Sequence, residues 1–274
     1  MNILICVDME GITGVTQWDH VTLTHPEYQR FRRLMTGDVN AAVRGVLAGG
    51  AENVIVSDGH WDGTNILIEE LDPRARLNCG SPSPFSMVQG VAGDVQALLF
   101  IGYHARAGSQ NAILDHTWSS ARVANLWLNG RLCGEIGLNA SVAGYFNNPV
   151  LMISGDQTAC AEAQDWIPGI ETAIVKQASG RNAAECLPPA VSQARIEAAA
   201  KNAMLRLVKA TSPAPLTTVL PCRITIEFKD SDLADRAVSV PGAERLDGRK
   251  VEIISTDMAA AYKAFRALIL ATSR

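Results

Sequence analysis

Only five histidines occur in 274 residues, His20, His25, His60, His104 and His116, so the place of each is informative. Cysteine offers no framework either. The six thiols (Cys6, Cys79, Cys133, Cys160, Cys186, Cys222) include no closely spaced pair, and a chain with 47% hydrophobic residues can build a core without disulfides. They read as reduced, mostly buried thiols of a cytoplasmic protein. No charge of one sign prevails: 24 Lys and Arg face 28 Asp and Glu, and a net charge of -4 provides no basic field for nucleic acid or a membrane surface. Long apolar runs are missing too. The opening run, residues 3–7, is halted by Asp8 and Glu10, too short for a signal-peptide core and far short of a membrane span, so export is not expected.

Other absences narrow the chemistry. There is no internal repeat or low-complexity tract, which sets aside solenoids and disorder. The sequence lacks HExxH, a Gly-x-Ser-x-Gly elbow, a Gly-x-x-x-x-Gly-Lys phosphate loop and Gly-x-Gly-x-x-Gly. Serine hydrolases, P-loop enzymes and nucleotide-linked dehydrogenases therefore lose support.

What is present is strand followed by helix. Residues 2–7, 53–57 and 97–101 are short apolar runs of the kind found in strands covered on both faces. Between the first two, Phe31, Leu34, Met35, Val39, Val43 and Leu47 recur at helical spacing, with Gly49-Gly50 as a stop. Residues 122–128 and 131–133 flank Asn129-Gly130, a strong hairpin signal. A helix over 136–145, a strand over 150–154, a helix over 158–166 and a strand over 172–175 follow. Beyond them come a helix over 190–209, a proline-rich connection, strands at 223–228 and 250–254, and a final helix over 257–272. The pattern predicts an α/β fold with a mainly parallel sheet and flanking helices, plus a smaller C-terminal α+β portion. Residues 1–185 are expected to form the catalytic part and 186–274 the smaller one.

Open α/β sheets bind ligands beyond the carboxyl ends of their strands, so the residues after each apolar run are candidates. The first run ends in Asp8-Met9-Glu10-Gly11, and residues two apart in an extended chain point the same way, so both carboxylates can face one site. The second ends in Ser57-Asp58-Gly59-His60 and the third in Gly102-Tyr103-His104. Singly, each has an ordinary explanation as a helix cap, a solvated turn or a hydrogen-bonded histidine. Repetition at one sheet edge favours a shared metal site. Neutral imidazoles and carboxylates suit zinc, and the set could hold two ions with a carboxylate such as Asp8 bridging them. Glu135, at the start of the helix after the hairpin, is a further candidate ligand or a favourable charge against the helix dipole. His116 could be a third ligand, a proton-transfer group or a loop histidine. His20 and His25 read as packing residues of the first loop.

The matching segments Val7-Asp8-Met9-Glu10-Gly11-Ile12, Ser57-Asp58-Gly59-His60, Pro84-Phe85-Ser86-Met87-Val88, Gly102-Tyr103-His104-Ala105-Arg106-Ala107 and Gly134-Glu135-Ile136-Gly137-Leu138-Asn139-Ala140, with Val175-Lys176-Gln177, resemble the zinc-dependent D-aminopeptidases of peptidase family M55. The resemblance implies a two-zinc site held by Asp8, Glu10, His60, His104 and Glu135, with His116 as the catalytic residue. It departs from the family pattern at Asp115, which precedes that histidine. It also implies a cytoplasmic aminopeptidase acting on short peptides with an N-terminal D-amino acid, assembled as a ring-shaped homo-oligomer, a decamer. Two alternatives stay open: an aminopeptidase or amidase of the same fold preferring L- or unusual residues, and a metal-dependent binding protein without turnover.

Overall fold

A computed structural model describes residues 1–273. The first sheet contains β1 (Asn2–Val7), β2 (Asn53–Asp58), β3 (Ala75–Asn78), β4 (Ala97–Ile101), β7 (Val150–Asp156), β8 (Glu171–Gly180) and β9 (Ala183–Cys186). Their order is β3-β2-β1-β4-β7-β8-β9, parallel except for β9, which runs antiparallel to β8. The second sheet is antiparallel, ordered β11-β12-β10-β5-β6, from β5 (Val123–Leu128), β6 (Arg131–Leu132), β10 (Cys222–Phe228), β11 (Ala243–Arg245) and β12 (Lys250–Ser255). The helices are α1 (Tyr28–Ala48), α2 (Glu135–Tyr145), α3 (Gln157–Trp166), α4 (Pro189–Val208), α5 (Ser231–Ala237) and α6 (Met258–Ala271). The expected α/β class with a mainly parallel sheet is what the chain adopts. None of the described helices is long and apolar enough to cross a membrane.

The apolar run of β1 has no polar alternation because both its faces are covered. Ile3, Ile5 and Val7 point into a core shared with α1 and α4, whereas Leu4 and Cys6 point into a second core. That second core runs without interruption from the first sheet past α2 and α3 to β10, β12 and α6. Each fully buried aliphatic side chain contributes about 1.5–3 kcal/mol relative to exposure, so this shared core fastens the two sheets into one body. The helical stripe Phe31, Met35, Val39 and Val43 is buried as expected, and Gly49 and Gly50 end α1, Gly50 with φ of 106°. Asn129 and Gly130 take φ of 50° and 80°, the left-handed pair that a tight hairpin requires between β5 and β6.

Several elements lie beyond what periodicity predicted. β3, β9, α5 and β11 are short, and β8 runs on to Gly180. The hairpin β5–β6 belongs to the second sheet, paired with β10, although it precedes α2 in the chain. All six cysteines are free; Cys6, Cys133, Cys160 and Cys222 are buried and Cys79 is exposed.

Candidate metal centre

Strand register brings the candidate residues together. β1 lies between β2 and β4, with Val7 opposite both Asp58 and Ile101, so three strands end at one level. Beyond those ends the backbones stay joined: Asp8 N–H donates to Ile101 O (2.9 Å), Gly59 N–H to Val7 O (2.8 Å) and Gly11 N–H to Gly102 O (2.7 Å). A Cβ at Gly11 would collide with the Gly102 and Tyr103 backbone, which explains the glycine after Glu10.

Asp8, Glu10, His60, His104, His116 and Glu135 converge there, every one of them buried. His60 Nδ1 lies 3.3 Å from Asp8 Oδ1 and 3.2 Å from Glu10 Oε2. His104 Nε2 lies 3.4 Å from Asp8 Oδ2 and 3.3 Å from Glu135 Oε1. Asp8 thus presents one oxygen to each histidine. His116 Nε2 stands 3.9 Å from both Glu10 Oε1 and Glu135 Oε1, its ring stacked on that of His104 with centroids 4.1 Å apart. The edge of Trp18 closes over His116.

Each histidine has its other nitrogen beside a backbone carbonyl. His60 Nε2 meets Val21 O (2.9 Å), His104 Nδ1 meets Ala105 O (2.9 Å) and His116 Nδ1 meets Leu114 O (2.8 Å). Donation to those carbonyls fixes the neutral tautomer and leaves the opposite lone pair facing the carboxylates. Lone pairs facing lone pairs repel unless a positive charge lies between them. Among the described residues, Asp8 Oδ2, Glu10 Oε2 and His104 Nε2 are buried without a hydrogen-bond partner. These are the donors a divalent cation requires, and their mixture of imidazole and carboxylate fits zinc. Ligand atoms of Asp8, Glu10 and His104, and of His104, His116 and Glu135, all fall within 4.8 Å of one another.

The field has the same sense. For His60 and His104 burial alone would disfavour a charged ring, yet the carboxylates, Glu10 for the first and Glu135 for the second, hold both well above the usual histidine range. Burial, then the charge of Glu10, raises Asp8; Glu10 is held low against burial by His60. His116 is pushed down to about 4 by burial and then by the charge of His104. The pocket favours positive charge at its centre and a neutral ring at its side.

Surrounding residues fix the loops. Asp58 accepts from Asn65 N–H (2.6 Å), Ile66 N–H (2.8 Å) and the Asn65 amide (2.8 Å), and that amide also donates to His60 O (2.6 Å), closing the turn that carries His60. Asp156 caps α3 through one oxygen and accepts from Ile113 N–H (2.7 Å) with the other, steadying the segment before His116. Asp115 pairs with Arg181 at 2.8 Å, a local anchor for the same segment. Glu135 Oε1 accepts from Trp118 N–H at 2.6 Å.

Two buried charges hold the Glu10 loop from behind. Lys176 Nζ donates to the carbonyls of Glu10 (2.6 Å), Ile12 (2.9 Å) and Val15 (2.7 Å), and burial pulls it down to about 8. Asp38 accepts from Thr13 N–H (3.0 Å) and the Thr13 hydroxyl, and burial pushes it up to about 6. Neither role emerges from strand ends. The available signal is a charged residue inside an otherwise apolar pattern: Lys176 directly follows the strand run 172–175, and Asp38 sits beside Val39 on the buried side of α1.

A cavity of about 770 Å³ opens over the cluster. Asp8, Glu10, His60, His116 and Glu135 form its floor, while Asp230, Leu233, Arg266 and Ile269 from the C-terminal part help form a wall. The smaller C-terminal part, which carries no catalytic pattern in the sequence, thus contributes to the cavity over the cluster. His20 and His25 stay outside the cluster, His20 stacked on Phe31 at 3.9 Å and His25 3.6 Å from Asp19.

A parallel-sheet edge that gathers histidines and carboxylates under a cavity defines the class of metallohydrolases. Over residues 1–267 the chain matches the D-aminopeptidase model of peptidase family M55, and it belongs to that family. It is 37% identical over 265 residues to a D-aminopeptidase of Bacillus subtilis (strain 168), covering 96% of this chain and 95% of the relative. A solved structure, the Zn-dependent D-aminopeptidase DppA from Bacillus subtilis, described as a self-compartmentalizing protease, superposes with a TM-score of 0.95 at 36% identity. It covers 100% of this chain and 98% of that one. The chain is accordingly a metallo-aminopeptidase by family.

Proposed function

We propose that the chain is a zinc-dependent aminopeptidase that hydrolyses short peptides bearing an N-terminal D-amino acid, with D-Ala-D-Ala as the model substrate. The observation that carries this reading is the buried cluster in which histidine lone pairs and carboxylate oxygens face one another without a partner, in a chain of the D-aminopeptidase family. Asp8, Glu10 and His60 would hold one ion and Asp8, His104 and Glu135 a second, Asp8 serving both. Bound zinc supplies a Lewis acid for the peptide carbonyl and lowers the pKa of water toward neutrality.

In the reaction, the oxygen of water joins the carbonyl carbon, the C–N bond breaks and the departing amine gains a proton. His116 Nε2 is the group of the chain placed to carry that proton. Its Nδ1 is committed to Leu114 O, so the free lone pair points into the cavity floor, and acid–base work is the role this geometry supports. Trp118 N–H holds Glu135 in orientation, and Lys176 keeps the Glu10 loop in register. The family resemblance also supports a cytoplasmic location and a ring-shaped homo-oligomer, a decamer.

Two variants test the assignment. Asp8→Ala is expected to lose zinc by elemental analysis together with activity, whereas His116→Ala is expected to keep its zinc and lose activity by about a hundredfold or more. A full zinc complement in Asp8→Ala removes Asp8 from the ligands, and retained turnover in His116→Ala removes that histidine from the mechanism.

A further inference from the structure

The cavity reaches from the cluster to a wall that contains Arg122. This arginine lies one turn beyond Trp118, the residue whose N–H holds Glu135: the N–H groups of Arg122 and Val123 both donate to Ser119 O, at 3.1 and 3.0 Å. Its guanidinium is fixed on one side. Nε donates to Ser119 Oγ (3.0 Å), and Nη1 donates to Ile269 O (3.2 Å) and Ser273 Oγ (2.6 Å). Nη2 has no hydrogen-bond partner among the described residues. No described carboxylate offsets the partial burial of this cation either. Asp232, on the same cavity, is turned to Arg236 at 3.2 Å. Arg266 also lines the cavity but belongs to its rim, bound to the carbonyls of Ser83 and Pro84 and shared with a shallower depression beside Pro82 and Lys263.

A half-buried guanidinium that has no acidic partner among the described residues, immobilised through two nitrogens and without a described partner at the third, is suited to a carboxylate. A dipeptide with its amino end at the metal cluster carries its own carboxylate about 7 Å further on. We propose that Arg122 binds the free α-carboxylate of a short peptide and so makes the enzyme select peptides that end one or two residues beyond the scissile bond. This specificity role rests on the reading that cleavage takes place over the Asp8–Glu135 cluster. Neutral peptide ends lack the charge that Arg122 recognises.

The test compares D-Ala-D-Ala with its C-terminal amide, using the zinc-loaded full chain, Arg122→Gln and Arg122→Lys. The unaltered enzyme is expected to prefer the free acid by about tenfold or more in kcat/KM, expressed mainly in KM, as expected for one charge-assisted contact. In Arg122→Gln the acid-to-amide ratio is expected to fall to near one, and in Arg122→Lys to fall part of the way. That ratio does not depend on how much of a variant is folded. Equal cleavage of acid and amide by the unaltered enzyme, or a proportional loss on both in Arg122→Gln, overturns the role of Arg122 while leaving the aminopeptidase reading intact. Cleavage of neither peptide overturns both.

Discussion

His60, His104 and His116 share one device: a backbone carbonyl takes one ring nitrogen, and the other is aimed at carboxylates. The first two were legible in the sequence, together with Asp8 and Glu10, because they directly follow apolar strand runs. Glu135 and His116 were legible only as candidates with several readings, since a helix start and an irregular loop carry no periodic signal, and the family resemblance is what chose a role for each. Asp38 stands out in the sequence only as a charge on the apolar side of a helix, and its partner Thr13, 25 residues away, was not legible. Asp38 also gives a test by pH. Burial raises the Asp38 carboxyl from 3.8 to about 6, so the folded chain binds a proton that the unfolded chain releases between those values. Its stabilising contribution is complete below pH 3.8 and is lost as the pH rises through 6. Asparagine does not titrate. The unfolding free energy of the unaltered chain relative to Asp38→Asn should therefore fall by up to about 3 kcal/mol between about pH 4 and pH 7. Urea denaturation across that range measures it, and a difference independent of pH contradicts the buried-carboxyl account.

Among the elements, α1 and α4 show how a helix pair that sequence reads only as two amphipathic stripes is fitted together. A Cβ at Gly45 would press on the Glu197 carbonyl and the Ala200 side chain, so the helices touch backbone to backbone at that point. The replacement Gly45→Val should force them apart and lower stability by about 1–3 kcal/mol, the usual cost of overpacking. An unshifted urea midpoint speaks against so close a contact. Strands β1, β2 and β4 were legible because interior parallel strands are continuous apolar runs. By contrast β3 and β9 lie at the edges of the sheet, where half-exposed residues such as those of Ala75–Asn78 carry no such run. Helix α5 has only seven residues, too few for its spacing to stand out.

At the scale of the molecule, the two sheets share a continuous core, and the C-terminal part completes the cavity wall. Neither fact is visible from local pattern, because pairing of β5 with β10 joins segments about a hundred residues apart, such as Asn125 and Glu227. The pairing also changes how the sparse charge is read. Of the 28 carboxylates behind the net charge of -4, Asp8, Glu10 and Glu135 are buried around one centre rather than solvated. The cavity over the cluster is enclosed by both parts of the chain. The most direct test of the central claim is kcat/KM of the zinc-loaded protein for D-Ala-D-Ala against L-Ala-L-Ala. The account predicts hydrolysis of the D-peptide with a preference of about tenfold or more. Equal or faster cleavage of the L-peptide, or no cleavage of either, would contradict it.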